Sequence, residues 1–455
     1  MSTSEGKWDQ AFRWVEATMG GRITRQERQG RSRPAWFIDV DVGAKTVPLY
    51  WRGYRGDLVG DQPPIYSSLE REAKLLQILE GAGVPVPHVY GFCQDPMGIL
   101  MECAPGRPDF HHIADEEERE AIAHHFMEVL ALTHSIDPDA FTSIGMVRPT
   151  TPEEQALSDL NVHEEAYRRL VTGPVPLVEF ALRWLHRNVP QRARHTVLVQ
   201  GDTGPGNFLC QNGRVTAVLD WELAHLGDPM YDLALIRGRD LCTPFGDLRK
   251  RFQLYSELSG DPIDLEALRY YSVRGMLLTP MSLAPVIQSP VPWGDMPEFL
   301  SWYLLYSRAT VECLAEAIGI ELGPVSLPEP VPTPRSPMFD VVLENLRDEH
   351  LPQIDDGYCA YRMRSTIRLV EHLRLSEQLG PAIDALELDD LATFLGHRPR
   401  SLAQGDAELQ QLVLESGPER DAELVRYFYR RVTREEALLK PAMEEMATST
   451  LSPIA

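Results

Sequence analysis

The chain has 455 residues, 43% of them hydrophobic and none in a low-complexity repeat, enough to bury a large core and to divide into two or three domains. Its 67 acidic residues against 44 basic ones leave a net charge of -23, which argues against sequence-independent binding to nucleic acid or to an anionic membrane; an anionic substrate would need a local basic patch. Six scattered cysteines without a CxxC pair read as reduced thiols, no apolar run is long enough to cross a bilayer, and MSTSEGKWDQAFRW lacks the pattern of a signal peptide, so the expected location is cytoplasmic.

In chain order, AWFIDVDVGAKTVPLYWRG (35–53) carries two β-prone runs around a Gly-containing turn and predicts a hairpin, with Pro48 placing the start of its second strand at an edge or a bulge. SSLEREAKLLQILEGAGVPVP (67–87) predicts a helix with a Ser cap, an apolar stripe of Leu69, Ala73, Leu76 and Leu79, and a stop at Gly81 and Gly83. Glu72 lies on or beside that inward stripe, where a carboxylate needs a cation, and Arg52 at the end of the preceding strand is the candidate. VYGFCQDPMGILMECAPGR (89–107) predicts two more short strands around Asp95-Pro96. Helical spacing then dominates 115–135 and 153–188.

The segment VLVQGDTGPGNFLCQNGRVTAVLDWE (197–222) interrupts the helices with strands and sets Asp202, Asn207 and Asp220 at the edges of apolar runs, where such groups need a reason. Asn212-Gly213 is a strong two-residue turn signal, and centring a hairpin on it puts Asn207 opposite Val218, so that Asn207 and Asp220 become diagonal neighbours on one face. Asp202 sits in a loop that Gly201, Gly204, Pro205 and Gly206 make tight and open to a ligand. An amide oxygen and a carboxylate suit magnesium, a hard ion usually completed by substrate phosphates, and a third carboxylate nearby can take a hydroxyl proton. This is the working set of phosphoryl transfer in the protein-kinase manner, including a cation paired to a helical glutamate. Glu222, two residues beyond Asp220, is a further candidate beside the metal if the chain stays extended.

From roughly 20 to 300 the sequence resembles the aminoglycoside phosphotransferase family. QGDTGPGN (200–207) is similar to the family's HGDxxxxN pattern, Asp220 in VLDWE to its metal-binding aspartate, and GDPMYDLA (227–234) to its GDPxxDLA pattern; LEREAKLLQIL, VPVPHVYGF and MECAPGR resemble its small-lobe helix, the segment after it and the hinge. DTGPGNF and DWELAHLGDP resemble more closely a bacterial branch akin to the kinase portion of bifunctional acyl-CoA dehydrogenases. The resemblance implies an α+β, two-lobed protein-kinase-like fold and an ATP- and magnesium-dependent phosphotransferase acting on a small-molecule hydroxyl, a hydroxyacyl-CoA or an aminoglycoside-like alcohol. It implies that Asp202 is the catalytic base, that Asn207 and Asp220 hold magnesium, that Arg52 and Glu72 form the phosphate-contacting pair, and that Glu102, Cys103 and Ala104 form the hinge beside the adenine. Gln200 stands where the family has His, Arg52 where many members have Lys, and MGGRITRQERQG (19–30) occupies the place of the phosphate-covering loop without a GxGxxG.

The expected organisation is an antiparallel-sheet N-lobe over 1–104, a mostly helical C-lobe over 105–321, a proline-rich linker at 322–337, an added helical module at 338–446 and a disordered tail at 447–455. The C-terminal helices offer a surface for a second copy or a partner enzyme. The alternative reading is a pseudokinase, a nucleotide-binding scaffold that docks a partner enzyme, supported by Gln200 and the missing glycine motif.

Overall fold

A computed structural model describes residues 4–29, 33–54, 68–192, 194–292 and 294–454. By its internal contacts the chain forms two compact units, one from the residues up to 158 with 191–264 and the end of the chain from 453, the other from 159–190 with 265–452.

The first unit begins with α1 (Ser4–Met19) and a five-stranded antiparallel sheet built from β1 (Arg22–Arg28), β2 (Ala35–Val42), β3 (Lys45–Gly53), β4 (Val89–Gln94) and β5 (Met97–Glu102), ordered β1-β2-β3-β5-β4. The expected hairpin is β2–β3, running from Val42 opposite Lys45 to Ala35 opposite Arg52. Alternation along these strands sends Trp36, Ile38, Val40, Leu49 and Trp51 into a core with Ala11 and Val15 of α1. Arg52, one residue past Trp51, therefore faces the other side of the sheet, and there α2 (Leu69–Gly81) packs on β4 and β5. The Ser68 hydroxyl accepts from the Arg71 N–H and caps α2, and Gly83 at φ 84° follows its end.

Pro48 lies near the start of β3, in a stretch that pairs with β2 alone because β5 takes up pairing only from Leu49, so this stretch is the local edge that the proline predicts although β3 farther on is an inner strand. Its carbonyl accepts from the Cys103 N–H, so its nitrogen faces the same side, just past the end of β5, where no ladder bond is demanded of it. Of the segment 19–30, residues 22–28 form β1, and Gly30 lies outside the described residues.

The unit continues through α3 (Glu116–His134), α4 (Asp139–Thr142) and α5 (Pro152–Leu157), then the strands β6 (Val197–Val199), β7 (Phe208–Gln211), β8 (Arg214–Val218) and β9 (His225–Gly227). Strands β6 and β9 pair, as do β7 and β8. The helices α8 (Pro229–Asp240) and α9 (Leu248–Ser259) complete it; in chain order α6 (Leu160–Leu170) and α7 (Pro176–Arg187) precede β6 but belong to the second unit.

The second unit also holds α10 (Leu265–Gln288), α11 (Met296–Ile318), α12 (Ser336–Glu344), the 39-residue α13 (Gly357–Leu395), α14 (Leu402–Glu415) and α15 (Asp421–Leu439). Helices α10 and α11 pack as a pair, α15 lies on both α11 and α13, and α14 lies on α7. The proline-rich stretch 322–337 thus runs inside one unit, and the Val331 N–H donates to the Gln378 carbonyl on α13. Leu379, Ile383 and Leu391 of α13 and Leu424, Val425 and Phe428 of α15 are buried, apolar surface that helices standing alone would leave in water. The tail at 447–455 also departs from the expected disorder: a 3-10 turn covers Glu444–Thr448, and Ile454 is buried. No helix among the described residues is long and apolar enough to cross a membrane.

Candidate active site

The β7–β8 hairpin turns at Asn212 and Gly213, with φ of 52° and 73°, as their tolerance of the left-handed region demands. Its register departs from the simple count. Gln211 faces Arg214 and Cys210 faces Val215, but beyond an irregularity Leu209 faces Ala217 and Phe208 faces Val218. One extra residue on β8 moves Asn207 opposite Leu219, whose N–H donates to the Asn207 carbonyl at 2.8 Å. In a straight strand this slip would send Asp220 to the wrong face, but Asp220 takes φ 56° and ψ 60° and leads into the 3-10 turn Trp221–Leu223. The chain does not stay extended through Glu222, which reaches the cluster from that turn.

The glycine loop 201–206 holds Asp202 through its neighbours. Asn207 Nδ2 donates to the Asp202 carbonyl at 2.8 Å and to Asp202 Oδ2 at 2.5 Å. Arg239 on α8 donates to the Pro205 carbonyl and to Asn207 Oδ1 at 3.2 Å, and its guanidinium lies 3.6 Å from Asp202 Oδ2. Gly206, at φ 91°, makes room for it, since a Cβ there would lie 2.5 Å from Arg239 Nη2. Below the loop, fully buried Asp232 accepts from the backbone N–H groups of Gln200 and Gly201 and from the Thr203 hydroxyl, with His134 Nε2 3.0 Å away. Gln200 sends its amide to the Leu219 carbonyl at 2.7 Å, tying the loop to the strand before Asp220.

Arg52 arrives from β3. Its Nε lies 3.0 Å from Glu72 Oε1, while its Nη2 donates to Asp220 Oδ1 at 2.8 Å and to Glu222 Oε2 at 3.1 Å. Arg33, in the connection between β1 and β2, also pairs with Glu222. Burial raises the pKa of Glu72, opposed by the charges of Arg52 and Arg33. The Asp202 carboxyl is likewise pushed up, first by the surrounding protein and then by the charge of Asp220, with Arg239 opposing; the 36% of its side chain still open to solvent limits the rise. A partly accessible carboxylate with a raised pKa is suited to proton transfer.

Of the residues singled out in the sequence, Arg52, Glu72 and Asp220 meet directly, Asp202 and Asn207 meet directly, and the two groups are close enough for the Asp220 charge to act on Asp202. Glu102 closes β5, and Cys103 and Ala104 follow it. Sequence reasoning missed Arg239 and Arg33. Arg239 had a legible signal, because Asp232, Ile236 and Arg239 fall at helical spacing on the face of α8 that meets the glycine loop.

Residues 47–271, close to half of the chain, match the phosphotransferase enzyme family. The chain is 34% identical over 220 residues to acyl-CoA dehydrogenase family member 10 of Mus musculus, covering 44% of this chain and 20% of that protein. It is 31% identical over 219 residues to acyl-CoA dehydrogenase family member 11 of Rattus norvegicus, covering 46% of this chain and 27% of that one, so it spans only a minor part of these relatives' length. It is also 26% identical over 210 residues to an aminoglycoside 3'-phosphotransferase of Enterococcus faecalis, covering 45% of this chain and 76% of that enzyme. In fold it is similar to the crystal structure of a provisionally assigned aminoglycoside phosphotransferase from Ralstonia eutropha JMP134, with a TM-score of 0.53 at 21% identity, covering 69% of this chain and 99% of the other. The chain therefore carries, at residues 47–271, a domain of the phosphotransferase enzyme family on a protein-kinase-like fold.

Proposed function

We propose that the protein transfers the γ-phosphoryl group of ATP to a hydroxyl of a small molecule, with Asp202 as the base. The observation that carries this reading is that Arg52 joins the helical Glu72 to Asp220, the residue that ends the hairpin bearing Asn207, while the Asn207 amide holds Asp202. Asp202 aligns the acceptor hydroxyl and takes its proton as the hydroxyl oxygen bonds to the γ-phosphorus and the bond to the leaving ADP oxygen breaks. The amide oxygen of Asn207 and the carboxylate of Asp220 are hard oxygen donors that fit magnesium, which when bound supplies neutralisation of phosphate charge. Arg52, braced by Glu72, contacts phosphate, and Arg239 positions Asn207 and Asp202. The adenine sits at Glu102, Cys103 and Ala104, where Pro48 accepts the Cys103 N–H and, having no N–H of its own, returns none to the Cys103 carbonyl.

The two acyl-CoA dehydrogenase family relatives favour a hydroxyacyl-CoA as acceptor over an aminoglycoside. The scaffold alternative leaned on Gln200, yet the bond from the Gln200 amide to Leu219 provides the loop support that catalysis requires. The test is ATP- and magnesium-dependent gain of one phosphate mass on alcohols, sugars, aminoglycosides and hydroxyacyl-CoAs. Turnover is expected on at least one of these and should fall by about 10²–10⁴-fold in Asp202→Asn. Nucleotide binding without turnover on any acceptor would replace this reading with the scaffold.

A further inference from the structure

The second unit holds a solvent-open cavity of about 230 Å³ among α7, α10, α11, α14 and α15, largely outside the segment matched to the phosphotransferase family. The apolar part of its lining comes from Leu177 of α7, Ile287 and Ala284 of α10, and Phe428 and Val432 of α15. Two hydroxyl-bearing residues of α11, Tyr303 and Ser307, also line it. Ser307 is 1% exposed, and its Oγ has no hydrogen-bond partner, an omission that normally costs free energy and that a bound polar group would repair.

The charged side of the cavity is unbalanced. Arg431 gives both terminal nitrogens to the Asp406 carboxylate and its Nε to Glu435 Oε1 at 3.0 Å, so one cation answers two carboxylates. With every face of the guanidinium engaged, an incoming anion would meet net negative charge, whereas a cation would be attracted. The cavity accommodates a compact molecule with a hydrocarbon body and one polar head.

We propose that this cavity is a binding site for a small organic monocation, its ammonium group directed to Asp406 and Glu435 and to the α11 hydroxyls, its apolar body against Phe428, Leu177 and Ile287. None of the residues given a part in phosphoryl transfer, Arg52, Glu72, Asp202, Asn207, Asp220 and Arg239, lines this cavity.

Calorimetric titration of the full chain with benzylamine, benzyl alcohol and benzoate tests the proposal. Saturable binding is expected for benzylamine, weaker binding for the alcohol and none for benzoate. Ala284→Phe, which fills the cavity, should abolish benzylamine binding, and Glu435→Gln, at a side chain 34% exposed and safe for folding, should weaken it about fivefold. Equal affinity for all three compounds, no binding of benzylamine, or benzylamine binding that survives both substitutions would overturn it.

Discussion

Two arginine clusters, one in each unit, show how differently the same ion pairs can be built. Between α13 and α15, Arg434 meets Glu387 and Asp390, and Arg430 meets Asp390 at 3.1 Å. Two cations face two carboxylates, all at helical spacing along two packed helices, so helix geometry alone brings them together. Around Arg52 the members come from strand β3, helix α2, the turn after β8 and the β1–β2 connection, and Arg52 with Arg33 faces three carboxylates, Glu72, Asp220 and Glu222. Asp220 keeps 31% of its side chain open to solvent. The ladder on two helices is closed in itself, whereas the carboxylates gathered around Arg52 from distant segments leave one of their number, Asp220, accessible to a cation.

Truncating the central arginine of each cluster tests that contrast most severely. Arg52→Met and Arg434→Met each strand a buried carboxylate, Glu72 or Glu387, and each should cost about 3–5 kcal/mol in urea unfolding. Only Arg52→Met should also reduce phosphoryl transfer; equal loss of activity in both would erase the distinction. Asp220→Asn removes the accessible negative charge and should lower turnover by about 10²–10³-fold with the fold intact by circular dichroism. Unchanged magnesium-dependent turnover in that variant would contradict the role given to Asp220.

A smaller effect concerns Asp228, which caps α8 by accepting from the Met230 N–H at 2.8 Å. Burial lifts its carboxyl from 3.8 to about 6, so the folded chain holds the proton more tightly than the unfolded chain, and stability falls as pH rises from about 4 to about 6. Asp228→Asn keeps the cap, should remove that fall and should gain on the order of 2–3 kcal/mol at pH 7 in denaturant titrations. Smallest is Ser68→Ala, which uncaps the helix carrying Glu72 and should cost about 1 kcal/mol, read as a lowered melting temperature.

Much of the first unit was legible because its signals are local. The Asn212-Gly213 turn, the Ser68 cap, the β2–β3 hairpin and the Glu72 position each follow from a few adjacent residues. The extra residue on β8 was not, because it answers to a remote segment. Arg107 bridges to Cys210 and the Thr216 hydroxyl donates to the Pro105 carbonyl, so residues 105–107 lie against the hairpin and shape it. Asp220 still reaches Arg52 only because its left-handed backbone undoes the slip, which no strand periodicity encodes. Arg33 was hidden for the same reason, 189 positions from Glu222. The prolines at 322–337 were read as a linker between modules, but a proline-rich stretch need not be a domain boundary when the helices beyond it bury their apolar faces in the same unit.

The guanidinium already resting on Asp220 has a consequence for how the site would load. If the site takes nucleotide and magnesium as proposed, a phosphate can replace Asp220 as the partner of Arg52 and leave that carboxylate freer for the metal. Occupancy by either ligand then lowers the barrier to accepting the other, so titrating one at fixed amounts of its companion should give interdependent affinities, with the latch at Arg52 setting the strength of the linkage.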